Sequence, residues 1–247
     1  MKKNNGNITE KIDSILSELN YKNNPYFQSL ADGIFDKDDF IETQIQFYFA
    51  VTFFSRPMAA LAAKIPLPHM RLEVVRNVWE EHGEGNLKKA HAHTFEELLK
   101  RLGNINLSDI DKRSLWPEIR IFNTTLSGVC VLDDYMTGVG TLGIIEQMFS
   151  DISSIIGKEI VKNKWLSEDQ LIHYNLHEKL DEKHAWDFFS IVEKAYENQE
   201  HQYYIDQGMW MGATLFNALY TGLFEHRKRR VFRDVKTLHS RAEGIPC

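Results

Sequence analysis

The sequence is poor in the residues and patterns that define several common protein classes. Among 247 residues there are two cysteines and six prolines, and neither cysteine belongs to a CxxC pair. A disulfide framework and a thiolate metal site are therefore not expected. The chain also lacks a GxxxxGK[ST] phosphate-binding loop, so its glycine-rich segment TGVGTLG is predicted to join or break two helices.

Long hydrophobic runs and an excess of positive charge are missing as well. The most apolar stretch, FYFAVTFFSRPMAALAAKIP, is interrupted by Arg56, Pro57 and Lys64. A membrane span needs about 20 mostly apolar residues, so this stretch is predicted to be a core helix that Pro57 kinks or ends. The net charge of −6 gives no argument for a nucleic-acid partner. The start of the chain lacks the apolar region of a secretory signal, and we predict a cytoplasmic protein that binds neither nucleic acid nor membranes.

Helix-start signals, by contrast, recur along the whole chain. They comprise possible N-caps at Asn7, Asp36, Ser114 and Ser167 and first-turn prolines at Pro25, Pro68 and Pro117. Strand patterns are scarce, and no linker is long enough to divide the chain. We therefore predict one all-α domain over residues 1–247, with a flexible C-terminal tail at 236–247.

The segment HEKLDEKH, residues 177–184, contains three residues of the types that bind metals. On a helix turning about 100° per residue, His177, Asp181 and His184 fall within about 60° of one another. The apolar residues that follow indicate that this helix enters a core, where a charge is costly unless it is paired or bound to metal. Imidazole and carboxylate suit iron, manganese and zinc, so we predict that the triplet binds metal.

A second cluster, NVWEEHGEGNLKKAHAH at residues 77–93, is dense in glutamate and histidine. Periodicity on an ideal helix favours pairing His91 with Glu84 over pairing it with Glu81. The glycines at 83 and 85 make a change of register between these residues reasonable. Periodicity also does not separate either acid from Glu80, so the choice of glutamate stays open on these grounds.

Glu146 is a lone acid among the apolar residues of LGIIEQMF. Beside the two clusters, we predict that it is a further metal ligand rather than the rim of an apolar face. A ferritin-like site would need Glu-x-x-His on each of two helices. No histidine of this chain has a glutamate three positions before it, so that arrangement is not expected.

Together these residues resemble the haem-oxygenase-like diiron oxidases and oxygenases. That group includes the iron-containing redox enzymes and the chlamydial protein associating with death domains. The resemblance is carried by Glu146, by the His-x3-Asp-x2-His element and by the pattern of Asn77, Glu81, Gly83, Gly85 and His91. It implies a haem-oxygenase-like bundle of seven or eight helices. It also implies two ferrous ions, with manganese as an alternative, bound by Glu81 in preference to Glu84 and by His91, Glu146, His177, Asp181 and His184.

The resemblance further implies that O2 is activated to oxidise a small amino-acid-derived or fatty-acid substrate. The implied reactions are N-oxygenation, desaturation and cleavage of C–C or C–N bonds, including nitrile formation. We also expect an external electron donor and a homodimer. The predicted pocket walls are Phe47, Phe54, Trp79, Phe122, Met136, Trp186 and Trp210, with Arg56 as a partner for a substrate carboxylate or for one of the protein's own acids.

Three alternatives are retained. A self-sacrificing 4-aminobenzoate synthase-like protein would consume a tyrosine, but Phe27 lies where the chlamydial relative has that tyrosine, and Tyr26 is beside it. A metal-free binding protein on the same scaffold would use the triplet of residues 177–184 as a structural polar network. A thiaminase-like hydrolase would need a nucleophilic cysteine, for which Cys130 is the only internal candidate.

Overall fold

The computed structural model describes residues 7–233, apart from the side chains of residues 175–182. Its α-helices are α1 (Ile8–Leu19), α2 (Pro25–Ala31), α3 (Lys37–Lys64), α4 (Pro68–Glu81), α5 (His91–Gly103), α6 (Leu107–Asp111), α7 (Pro117–Leu132), α8 (Tyr135–Lys162), α9 (Ile172–Val192) and α10 (Gln199–Glu225). Short 3-10 turns lie at Tyr21–Asn23, Gly83–Gly85, Leu87–Lys89, Glu168–Gln170 and Ala195–Glu197. The described residues form no named strand, and eight of their α-helices have at least twelve residues. The predicted all-α class is therefore confirmed.

Most helix starts coincide with the signals in the sequence. The side chains of Asn7 and Asp36 accept backbone hydrogen bonds as the N-caps of α1 and α3. Pro25, Pro68 and Pro117 are the first residues of α2, α4 and α7, where a missing N–H leaves no hydrogen bond unmade.

Pro57 does not end the helix in which it lies. Helix α3 continues through it to Lys64, so of the two predicted outcomes, a kink or an end, the end is wrong. A proline inside a helix costs about 3 kcal/mol. Pro57, Met58 and Leu61 are buried in the core, and burial of each aliphatic side chain stabilises the fold by roughly 1.5–3 kcal/mol. Burial of this part of α3 therefore offsets the cost of the proline, and the helix continues.

The glycine-rich segment TGVGTLG does not break a helix either, and that prediction is also corrected. Helix α8 runs through it without interruption. The reason is the close approach of α10: a Cβ at Gly140 would lie 2.7 Å from the carbonyl oxygen of Ile205, and one at Gly208 would lie 2.1 Å from that of Thr137. The Thr141 hydroxyl also donates a hydrogen bond to the Gly208 carbonyl at 3.0 Å. These glycines therefore allow two helix backbones to touch.

Helix α8 occupies the middle of the arrangement and packs along both α9 and α10, while α3 packs against α4, α5 and α7. Among residues 7–233, no helix combines the length and apolar character needed to cross a bilayer. The middle of α8 carries Glu146, which is 3% exposed. The candidate site forms around this residue.

Candidate metal centre

The turn between α4 and α5 brings Glu81 and His91 together. Glu81 is the last residue of α4, and His91 is the first residue of α5. Three consecutive residues between them have positive φ angles: Gly83, Glu84 and Gly85. Glycine adopts this left-handed conformation without steric cost, and a Cβ on Gly83 would lie only 2.5 Å from the backbone nitrogen of Ala90. The chain can therefore return on itself within a few residues.

This return places Glu81 Oε1 2.8 Å from His91 Nδ1, with both side chains almost completely buried. A spacing of ten residues is unfavourable on an unbroken helix, but the helix is broken here. Glu84 lies within the turn and is exposed. Of the two glutamates that the sequence left open, Glu81 is the one that contacts His91.

The residues facing this pair come from two long helices. Glu146 lies in α8, and His184 in α9 is completely buried. Nδ1 of His184 is 4.0 Å from Glu146 Oε2, and the stacked rings of His91 and His184 have centroids 6.4 Å apart. One ligand atom each from Glu81, Glu146 and His184 lie within 4.8 Å of one another. Because donors about 2 Å from a shared ion are roughly 3–4 Å apart, small side-chain movements would close this group on a cation.

The chemistry of this group fits a divalent metal ion. Two buried carboxylates this close together repel each other when ionised, and a cation between them removes that repulsion. Carboxylate oxygens with imidazole nitrogens form the donor set that suits iron, manganese and zinc. The predicted ligands His177 and Asp181 belong to the α9 backbone, but their side chains lie outside the described residues.

Glu80, which the sequence did not separate from its neighbours, contacts the other ring nitrogen of His184. Nε2 of His184 lies 2.6 Å from Glu80 Oε2, and Lys183 Nζ lies 3.0 Å from Glu80 Oε1. Burial alone would raise the pKa of Glu80, but the hydrogen bonds from His184 and Lys183 outweigh it and lower that pKa. Adjacent residues of a helix point about 100° apart. Two consecutive glutamates at positions 80 and 81 were therefore a signal that their side chains would contact two different parts of the structure.

An apolar cavity of about 40 Å³ adjoins the acid and histidine residues. It is lined by Phe47, Ala50, Val51, Phe54, Glu81, His91, Phe122, Ile145, Glu146, Phe149 and Phe216. The lining includes three of the predicted pocket residues, Phe47, Phe54 and Phe122, and among the described side chains it contains no lysine or arginine. The volume is enough for roughly two or three molecules of the size of water.

Five of the predicted pocket residues are not part of this wall, among them Arg56, Trp79 and Trp186. Arg56 is exposed, and the two tryptophans are 54% and 55% exposed. Arg56 lies two positions after Phe54, Trp79 lies two positions before Glu81, and Trp186 lies two positions after His184; all three reference residues are at the site. Two positions correspond to about 200° of rotation, so these side chains point away. Met136 and Trp210 pack in the core outside the lining.

The residues of the tyrosine-consuming alternative lie one layer behind the cavity. Tyr26 is completely buried, and its hydroxyl accepts a hydrogen bond from Gln44 at 2.8 Å. Tyr26 and Phe27 pack on Tyr220 with centroid distances of 5.2 and 4.9 Å. Tyr220 in turn packs on the cavity-lining Phe47 at 5.4 Å. Aromatic side chains therefore separate both residues from the cavity.

Cys130, the nucleophile that a hydrolase would need, is completely buried in α7, and this burial raises the pKa of its thiol to about 12. Such a thiol is almost entirely neutral at about pH 8, whereas a free cysteine has a pKa near 8.5. We therefore expect Cys130 of the native protein to resist alkylation by iodoacetamide at that pH. Mass spectrometry of the peptide containing Cys130 checks this, with denatured protein as the positive control. Rapid alkylation in the native state would revive the hydrolase alternative.

Comparison with known proteins agrees with this geometry. Residues 42–217, more than two thirds of the chain, match the family described as iron-containing redox enzyme. A search of curated proteins found no match.

Several solved structures share the fold. A domain of unknown function with a haem-oxygenase-like fold from Shewanella denitrificans is 16% identical, with a TM-score of 0.69 and 90% of each chain covered. A TenA homologue from Pseudomonas syringae pv. tomato is 14% identical, with a TM-score of 0.71, covering 87% of this chain and 92% of its own. A CADD-like protein of unknown function from Nostoc punctiforme is 15% identical, with a TM-score of 0.70, covering 89% and 96%.

Structural matches at identities this low establish the fold alone, so the chemistry has to be inferred from the residues of the site. The fold is haem-oxygenase-like, as the resemblance implied. The match over residues 42–217 supports oxidoreductase activity in outline. The chain belongs to the family of iron-containing redox enzymes.

Proposed function

We propose that the protein is a non-haem diiron oxidase or oxygenase that uses O2 to oxidise a small substrate, an apolar part of which enters the cavity beside the metal centre. The observation that carries this proposal is the buried group of Glu81, Glu146 and His184, whose ligand atoms lie within 4.8 Å of one another. His91, which contacts Glu81, and the α9 residues His177 and Asp181 are the proposed further ligands. Bound iron would supply the electrons and the site at which O2 reacts.

The protein's own residues contribute coordination and a dry environment. Glu81 and Glu146 approach the same region from α4 and α8, so both carboxylates would be available to hold the metal. His91 Nδ1 lies 2.8 Å from Glu81 Oε1, so these two side chains offer an imidazole and a carboxylate at the same end of the site. The phenylalanine walls offer water no hydrogen-bond partners in the adjoining space.

The composition of the cavity wall narrows the substrate class. A charged group placed against five phenylalanines and three aliphatic residues would lose its hydration without gaining a partner. We therefore favour a substrate that presents an apolar chain or side chain to this wall. Any carboxylate or amine of that substrate would lie on the metal or at the mouth of the cavity. Both a fatty acid and an apolar amino acid meet this description, and with a cavity of about 40 Å³ only a small apolar part of either would enter it.

Anaerobic titration with ferrous iron tests the proposal. We expect uptake of about two irons per chain, followed on exposure to O2 by oxidation that a substrate accelerates. A panel of fatty acids and of apolar and charged amino acids, followed by O2 consumption, would identify the class. A parallel titration with Mn(II) compares the two metals. Uptake of a single ion would contradict the diiron assignment, and no uptake would favour a metal-free binding protein.

A further inference from the structure

The carboxylate of Glu80 contacts the ring nitrogen of His184 that lies away from Glu146. The Nε2 atom of His184 is 2.6 Å from Glu80 Oε2, while Nδ1 faces Glu146 Oε2 at 4.0 Å. An ionised carboxylate has no proton to donate, so the hydrogen in the contact with Glu80 belongs to Nε2. A neutral imidazole in this tautomer carries its lone pair on Nδ1. In that form, the lone pair of His184 is directed to the side of the ring that faces Glu146.

Glu80 is itself fixed in place. Its Oε1 accepts a hydrogen bond from Lys183 Nζ at 3.0 Å, and Lys183 also contacts Asp187 Oδ2 at 3.4 Å. The neighbouring Glu81 turns the other way, to His91. One pair of adjacent glutamates thus reaches both sides of the site: Glu81 belongs to the group of ligand atoms, and Glu80 touches the outer nitrogen of His184.

We propose that Glu80 is a positioning residue, which fixes the ring orientation and tautomer of His184 and thereby raises the affinity of the site for its metal. This inference rests on the proposed function, since it assigns a ligand role to His184. Histidines that bind metals commonly donate their other N–H to a carboxylate, and loss of such a partner lowers metal affinity about 10- to 100-fold.

Two variants distinguish a positioning role of Glu80 from a role as a metal ligand or as a mere partner of Lys183. Glu80→Ala removes the acceptor of the Nε2 hydrogen bond, whereas Glu80→Gln removes the charge but keeps a carbonyl oxygen that can accept it. We expect Glu80→Ala to bind ferrous iron about 10- to 100-fold more weakly than the wild type, with Glu80→Gln between the two. Lys183→Met removes the surface contacts of Lys183 with Glu80 and Asp187 but leaves the contact between Glu80 and His184. It is the matched control and should change the affinity much less.

A second readout does not depend on iron. In the metal-free protein, 15N NMR of the histidine rings should report His184 with its proton on Nε2, and Glu80→Ala should abolish that preference while circular dichroism stays unchanged. A role limited to helix stability would not alter the tautomer.

The outcomes are distinct. Equal losses of affinity in Glu80→Gln and Glu80→Ala would identify Glu80 as a metal ligand, and unchanged affinity in Glu80→Ala would reduce it to a partner of Lys183. Either result overturns the inference while the proposed function stands. If the wild-type protein takes up no iron, the proposed function fails and this inference fails with it.

Discussion

Replacing Glu81 with glutamine is expected to weaken ferrous-iron binding by roughly 100-fold or more, because even partners that only support metal ligands contribute 10- to 100-fold. Glu81 contributes one of three ligand atoms that lie within 4.8 Å of one another, and it also contacts His91. The neutral amide keeps the size of the side chain but provides no anionic oxygen for a cation. Anaerobic titration with Fe(II), analysed for both affinity and stoichiometry, measures the change.

Glu84→Gln is the matched control for this substitution. Glu84 is exposed in the Gly83–Gly85 turn, only three positions from Glu81, and its replacement removes the same charge. We expect its iron affinity to equal that of the wild type. Loss of binding in Glu84→Gln with retention in Glu81→Gln would reverse the assignment and restore the pairing that ideal helical periodicity favours.

Adding one methyl group at Gly208 is expected to destabilise the protein by about 3 kcal/mol or more, the upper part of the range for overpacked cores. A Cβ there would lie 2.1 Å from the carbonyl oxygen of Thr137, which is backbone and cannot rotate away. Helices α8 and α10 would have to separate. For a chain of this size, the melting temperature should fall by roughly 6–12 °C. Urea unfolding followed by circular dichroism measures the free energy.

Gly128→Ala provides the comparison, since Gly128 lies in α7 and a Cβ there would meet no atom within 4 Å. Alanine has the higher helix propensity and restricts the unfolded chain, so this variant should be more stable than the wild type by about 0.4–1 kcal/mol. If Gly208→Ala unfolded at the same urea concentration as Gly128→Ala, the close contact between α8 and α10 would be wrong.

Features set by neighbours in sequence were predictable. Asp36 caps α3 and Pro68 opens α4 because capping and proline geometry involve only a few adjacent residues. The glycine-rich part of α8 was misread for the opposite reason. Its local signal is a helix break, and the contact that reverses this interpretation comes from Gly208 and its neighbours in α10.

The candidate site shows the same division. Periodicity predicted that His177, Asp181 and His184 share one helical face. It also favoured Glu84 over Glu81 as the partner of His91, because an ideal helix does not include the path of the turn at Gly83. The contact between Glu80 and His184 joins residues 104 positions apart, and no local pattern reports such a distance. Arg56 is exposed, and an apolar stretch does not reveal which of its sides faces solvent.

The turn from Gly83 to Ala90 also gives the centre two unequal halves. Glu146 and His184 project from the interiors of α8 and α9, helices of 28 and 21 residues, whereas Glu81 and His91 flank a stretch that is exposed from Glu84 to Lys89. Short exposed segments open at far lower free energy than packed helices. The segment that joins Glu81 to His91 is therefore expected to open at a lower free energy than α8 and α9, which would give an ion a route to the centre while the bundle stays folded.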